Sequence, residues 1–130
     1  MKLLRHLLPT ILAATALASC AQPPVEPESR RLANDLRTLI GPASCTADSQ
    51  CRTVAVGSKA CGGPGGYWAW STEGTDAKRL AELAARQAEA EKRETLAAGM
   101  RSDCRVVTDP GAACIARRCE LANSPGASAR

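Results

Sequence analysis

The sequence predicts an α+β fold, a small disulfide-stapled domain in which two helices pack on a small antiparallel sheet. Three observations lead to this fold class. Six cysteines lie between residues 45 and 119, two stretches carry apolar residues at helical spacing, and short β-branched stretches lie between glycine- and proline-rich turns. The chain has no phenylalanine and few other aromatic residues, so its core is thin and needs covalent staples.

The first predicted helix covers residues 29–40. Its apolar residues fall on one face at intervals of three and four: Leu32, Leu36, Leu39 and Ile40. Ser29 is the predicted N-cap, and Gly41-Pro42 ends the helix. Because its polar face is not especially basic, we expect this helix to pack on the domain rather than on a membrane surface.

The second and longer predicted helix begins at Thr75-Asp76 and runs to about Ala98. Asp76 suits the positive end of the helix dipole, and Gly99 suits the position after the last turn. A narrow apolar face points to packing on the rest of the domain: Leu80, Leu83, Ala84 and Ala88.

Strands are predicted on both sides of the long helix. Residues 50–56 favour extended backbone, and residues 67–71 alternate so that Trp68 and Trp70 share a face. We expect both tryptophans in the core; the alternative is an exposed aromatic patch that binds a glycan or a peptide. Residues 104–108 are another strand candidate, and residues 112–121 a strand or tight hairpin.

The N-terminal segment indicates export and lipid attachment. Lys2 and Arg5 precede an apolar run of about eleven residues, against the ~20 that a spanning helix needs. The run ends in Leu17-Ala18-Ser19-Cys20, which resembles the lipobox of bacterial lipoproteins. Residues 1–19 are therefore a predicted signal peptide, and Cys20 is the predicted acylation site, with palmitate-type chains as a permanent membrane anchor. The alternative is an ordinary secretory signal cut beside Cys20.

The segments that flank the domain follow from this prediction. Residues 20–28 carry three prolines and are expected to be an extended tether, residues 29–121 form the disulfide-rich domain, and residues 122–130 are a predicted disordered tail. Residue 21 is alanine rather than aspartate, which favours the outer membrane, with the domain facing the periplasm. We therefore expect a cell-envelope location.

Composition excludes several classes of function. Removing Lys2 and Arg5 leaves 15 basic and 13 acidic residues, interspersed, so no basic stripe suggests nucleic acid. The only histidine, His6, leaves with the signal peptide, which excludes a serine–histidine triad and a histidine metal site. We expect no enzyme activity, no cofactor and no metal, since the remaining acids and the adjacent Ser58 and Lys59 show no catalytic spacing.

The six other cysteines are predicted to form three disulfides, because an even count in an exported chain is typical of a disulfide framework. They are Cys45, Cys51, Cys61, Cys104, Cys114 and Cys119. Cys61 and Cys104 bracket the long helix, and we favour a bond between them, which restricts the unfolded chain by ~4 kcal/mol. The pairing of the other four stays open.

These features together resemble a family of small bacterial envelope lipoproteins with a six-cysteine domain and a Cys-Gly-Gly-Pro turn. The resemblance covers residues 44–121, and its most specific part is Lys59-Ala60-Cys61-Gly62-Gly63-Pro64. It is also carried by Cys45, Asp48, Gln50-Cys51, Val56-Gly57, Tyr67, Trp70-Ser71, Ser102-Asp103-Cys104, Cys114 and Cys119. It implies the extent of the domain and oxidised cysteines, and no particular activity.

Two function classes remain. The first is a lipid-anchored envelope protein with a small non-enzymatic domain that binds an envelope protein or a glycan or has a structural role. The second is an inhibitor of a protease or other envelope hydrolase, which would present Arg117 and Arg118 on a tethered loop. The candidate contact surface consists of Lys59, Tyr67, Trp68 and Trp70, with Arg117 and Arg118 as a second choice.

Overall fold

The computed structural model describes residues 25–123 and confirms the α+β fold with three disulfides. The described elements are α1 (Glu28–Ile40), a short 3₁₀ turn (Asp48–Gln50), β1 (Cys51–Val56), β2 (Gly66–Ser71), α2 (Ala77–Ala97), β3 (Ala112–Ile115) and β4 (Arg118–Leu121). The predicted signal peptide, Cys20, most of the tether and residues 124–130 lie outside the described residues. Helix α1 begins at Glu28, one residue before the start of the predicted helix.

The strands form two antiparallel hairpins rather than one small sheet. β1 pairs with β2 over six residues, and β3 pairs with β4 over four. The outer edge of β4 also pairs with the segment after α1, where the Cys45 N–H donates to the Arg117 carbonyl and the Cys119 N–H to the Ala43 carbonyl. This pairing and the Cys45–Cys114 bond hold β3–β4 against the segment after α1, and the Cys51–Cys119 bond joins it to the first hairpin.

The β1–β2 hairpin lies between the helices and the second hairpin. Val54, Val56, Trp68 and Trp70 occupy one face, which packs on the helices. The core there is the cluster Leu36, Val56, Trp70, Leu80 and Ala84. The opposite face carries Cys51 and Ala69 and packs on Cys119 and Ala112 of the second hairpin. Strand alternation therefore produces two thin cores on opposite faces of one hairpin.

The two helices lie antiparallel, with the start of α1 beside the end of α2. The Arg93 guanidinium forms an ion pair with the Glu28 carboxylate at 3.0 Å. Ser29 is not the N-cap that we predicted: its N–H and hydroxyl both donate to the Glu94 carboxylate, because the helix already begins at the preceding residue.

The ends of α2 are as predicted. The Asp76 carboxylate accepts the Arg79 N–H at 3.0 Å, and Gly99 has a φ of 63° immediately after the helix. The start of the helix is therefore held by a side-chain cap, and its end by a residue that tolerates the left-handed region.

The predicted strand at residues 104–108 is wrong. This segment is irregular, and Cys104 has a φ of 52°, which a strand does not accommodate. Side chains hold the segment instead, through the Cys61–Cys104 disulfide and the Lys59 ammonium, which donates to Asp103 at 2.7 Å. The predicted hairpin at 112–121 is confirmed as β3 and β4.

Candidate functional site

A groove at the free edge of β2 is the best candidate for a binding site. Three elements line it: the end of α1, the middle of β2, and β4. We call it the edge groove and define it by Arg37, Ile40, Tyr67, Trp68, Ala69, Arg118 and Leu121. Its cavity volume is about 650 Å³, within the range of small-molecule and peptide sites.

Another recess of similar volume lies between the two helices. It is lined by charged residues of both signs, among them Asp35, Arg79, Glu82 and Arg86. These charges balance one another in number, and the recess contains no aromatic side chain. The edge groove is the better candidate because it combines aromatic, aliphatic and basic groups.

The two tryptophans have different environments. Trp70 is 8% exposed in the helix-side core, and among the described residues its indole Nε1 has no hydrogen-bond partner. Trp68 is half-buried, and the Arg37 guanidinium lies 4.4 Å from its ring centroid, in cation–π contact. One face of the Trp68 ring is thus covered by Arg37 and does not present a bare platform for stacking a sugar ring.

The backbone of β2 contributes hydrogen-bonding groups to the edge groove. The Thr72 N–H donates to the Gln50 carbonyl at 2.9 Å, which sets the phase of the ladder. Because hydrogen-bonded and non-hydrogen-bonded pairs alternate along an antiparallel ladder, the backbone amides of Trp68 and Trp70 face β1, and those of Tyr67 and Ala69 face away from it. Within residues 25–123 no group bonds to these outward-facing amides. They are donors and acceptors at the wall of the groove.

The side-chain charges of the edge groove have a positive balance. Arg37 and Arg118 contribute two guanidinium groups from opposite sides, and Glu120 contributes one carboxylate. Both arginines are exposed. A partner that carries carboxylates is therefore favoured over a cationic one.

Three of the six predicted contact residues meet in the edge groove: Tyr67, Trp68 and Arg118. Trp70 is buried and unavailable for contact. Lys59 is also occupied, since its side chain is only 16% exposed and its ammonium holds Asp103. Arg117 lines a separate recess with Ser44, Cys45 and Gln50.

The tight turn between β3 and β4 consists of Ala116 and Arg117, so only the first of the two arginines lies in it. Ala116 and Arg117 have φ angles of 48° and 65°, as in a two-residue hairpin turn with both central residues left-handed. The Arg117 carbonyl is bonded to the Cys45 N–H, and Arg118 already belongs to β4. Proteases bind extended segments, so this geometry does not favour the inhibitor hypothesis, which stays a prediction.

The disulfide pairing left open by the sequence is Cys45–Cys114 and Cys51–Cys119, and the expected Cys61–Cys104 bond is confirmed. The sulfurs of Cys45, Cys51 and Cys119 lie within 4.8 Å of one another. This proximity reflects two adjacent disulfides, and bonded sulfurs offer no thiolate to a metal.

Two carboxylates have pKa values below their usual range. The hydroxyl and N–H of Ser29 lower the pKa of Glu94 by donating to it. The Lys59 ammonium and then the Arg105 N–H lower the pKa of Asp103. Both groups hold structural elements together and lie outside the edge groove, so their charges stabilise the scaffold.

Comparisons with known proteins found no match for this chain. No family model, no curated protein and no solved structure matches it. Among residues 25–123, none of the helices has the length and apolar character needed to cross a bilayer.

Sequence reasoning missed Arg37, Ile40 and Leu121 as lining residues of the groove. Ile40 was placed in the packed stripe of α1, and Arg37 directly follows Leu36 of that stripe. Arg37 could have been selected from the sequence because it is a basic residue that borders the apolar stripe of α1. No local signal connects the end of α1 with β4, because disulfides and tertiary packing bring them together.

Proposed function

We propose that this protein is a lipid-anchored component of a bacterial cell envelope, whose disulfide-stapled domain binds a partner through the edge groove and has no catalytic role. One observation carries the binding role: Tyr67, Trp68 and Arg118, selected from sequence as contact residues, converge with Arg37 on one groove.

The lipobox-like segment before Cys20 supports the envelope location, and the disulfide-bonded cysteines agree with an oxidising compartment. The absence of histidine after residue 6 supports a non-enzymatic role, since the commonest general base is missing from the domain. The proposed anchor places the domain at the membrane surface, with the tether as spacer.

The anchor is tested by metabolic labelling with a palmitate analogue. The wild-type chain should incorporate the label and partition with membranes, and Cys20→Ala should lose both properties. Cys45→Ala with Cys114→Ala is the matched control, since it also removes cysteine but leaves the lipobox intact. Equal labelling of wild type and Cys20→Ala would contradict the proposal.

The binding role is tested by photo-crosslinking in the intact envelope. A photoreactive amino acid replaces Tyr67, which lines the edge groove, and in a control replaces Arg86 on the exposed side of α2. A discrete adduct should form from position 67 and not from position 86, and Arg118→Glu should weaken it. Equal adducts from both positions, or none from position 67, would argue against this role.

A further inference from the structure

We propose that the partner bound in the edge groove is an extended acidic peptide segment, which adds as a strand to the free edge of β2. This inference rests on the proposed binding function and specifies the chemistry of the partner. It is carried by the unpaired backbone of β2, by the two walls beside it, and by the charge of those walls.

The free edge of β2 lacks the features with which proteins protect exposed strands. Natural edges carry lysine, proline or bulges that prevent pairing with another chain. Residues 66–71 read Gly-Tyr-Trp-Ala-Trp-Ser, with no charged residue and no proline, and pair with β1 in unbroken register. Within the described residues, the outward amides of Tyr67 and Ala69 are available to a further strand.

The walls of the edge groove suit the alternating side chains of such a strand. Successive residues of an added strand point to opposite faces of the sheet. On the face of Trp68 they meet Arg37 and Ile40, and on the face of Ala69 they meet β4, where Leu121 lies on the same side as Cys119 and Arg118 borders the groove beside Glu120. Each wall thus offers one guanidinium and one aliphatic side chain, and the β4 wall adds the Glu120 carboxylate, which leaves the groove one net positive charge.

This arrangement favours neighbouring acidic residues in the partner, flanked by aliphatic ones. Two adjacent carboxylates of an extended peptide point to opposite walls, so one reaches Arg37 and the other Arg118. A β2-to-β2 pairing between two copies of this chain is disfavoured, because it would bring arginines of both copies to the same edge. A sugar ring is disfavoured because Arg37 covers one face of the Trp68 ring.

The probe is a capped hexapeptide, Thr-Val-Glu-Glu-Val-Thr, titrated into the oxidised protein and followed by NMR amide exchange. We expect the amides of Tyr67 and Ala69 to exchange fast in the free protein and slowly with peptide. The amides of Trp68 and Trp70, already paired with β1, should change little. This pattern reports strand addition itself, which a purely ionic association would not produce.

Charge dependence is tested with matched variants. A Thr-Val-Lys-Lys-Val-Thr peptide should bind about tenfold more weakly, and Arg118→Gln should weaken the acidic peptide about threefold. Arg117→Gln is the matched control, because it removes the neighbouring guanidinium from a separate recess and should leave affinity unchanged. Retained near-ultraviolet circular dichroism verifies that the variants stay folded.

Four results would overturn the inference: no binding of the acidic peptide at millimolar concentration, binding without protection of Tyr67 and Ala69, equal binding of the lysine peptide, or amides already protected in the free protein. The last would mean that the edge is paired by another part of the chain or by a second copy. A position-67 adduct with an envelope protein, combined with failure of the peptide, would refute this inference while leaving the proposed function in place.

Discussion

The disulfides Cys45–Cys114 and Cys51–Cys119 close nearly the same loop, which predicts that each partly replaces the other. They span 69 and 68 residues. With Cys61–Cys104 in place, the shortest path through either loop is about 26 residues, so the first of the two bonds stabilises the folded state by about 3.5 kcal/mol on the chain-entropy model. Once either bond is present, the other closes only a ring of about a dozen residues through 45–51 and 114–119 and adds about 2.8 kcal/mol.

Replacing either cysteine pair by alanine should therefore lower the free energy of unfolding by about 2.8 kcal/mol, and replacing both by about 6.3 kcal/mol. The loss in the double variant exceeds the sum of the single losses by about 0.7 kcal/mol. Guanidinium unfolding, followed by the fluorescence of Trp68 and Trp70, measures each loss. A series of sucrose concentrations keeps the double variant within the measurable range.

The control is the third bond. Removing Cys61–Cys104 together with Cys45–Cys114 should cost nearly the sum of the two single losses. The ring that Cys61–Cys104 closes has almost the same length whether Cys45–Cys114 or Cys51–Cys119 remains, so its contribution hardly depends on which of the two is present. The redundancy argument is refuted if the variant lacking both Cys45–Cys114 and Cys51–Cys119 loses no more than the sum of the two single variants.

Three further substitutions have expected outcomes. Gly57→Ala should cost more in chemical unfolding than Gly62→Ala, for which we expect about 1 kcal/mol, because relieving the contact at Gly57 displaces the Glu91 carboxylate, which accepts a hydrogen bond from Gln87. Both have positive φ, 72° and 95°, but only at Gly57 does an added methyl group meet another atom, a Glu91 carboxylate oxygen at 2.7 Å. Glu94→Gln should make the free energy of unfolding less sensitive to acid. The hydrogen bonds that lower the pKa of Glu94 contribute fully to this free energy above pH ~4.3, and their contribution is lost as the pH falls through the lowered pKa. Leu36→Ala, at a fully buried core position, should cost about 2–5 kcal/mol by thermal or chemical unfolding.

Each of these outcomes has a control. Equal losses for the two glycine variants would show that backbone strain alone decides their cost. Glu89→Gln, at an exposed position on the same helix, should not reproduce the altered acid profile, and a difference between wild type and Glu94→Gln that persists unchanged at pH 3 would contradict the linkage. Leu96→Ala, at a 61% exposed position, should cost well below 1 kcal/mol, and a comparable loss there would show that burial is not what Leu36 contributes.

The elements that could be predicted are those with local signals. Apolar spacing located both helices, and Asp76 and Gly99 marked the ends of α2. The wrong strand at residues 104–108 had β-branched composition, which favours extended backbone. The disulfide at Cys104 and its positive φ override that preference.

The groove could be predicted only in part. Tyr67 and Trp68 stood out because aromatic residues are rare in this chain, and Arg118 because it is a basic residue in the short segment between Cys114 and Cys119. Their meeting with Arg37 depends on contacts between positions more than 25 residues apart along the sequence. Periodicity reports which face a residue occupies but not which distant element lies opposite, so the groove required the tertiary structure.

The disulfide pattern also has a consequence for the route by which the chain matures. Two of its three bonds join early cysteines to late ones, and the partners nearest in sequence, Cys45 with Cys51 and Cys114 with Cys119, are non-native. Short rings close most easily, so oxidation of the unstructured polypeptide forms these wrong rings first. Reaching the native set then requires thiolate attack on a mispaired bond. The yield of protein with the native disulfides should thus depend on an isomerase or a thiol–disulfide buffer more than on the strength of the oxidant.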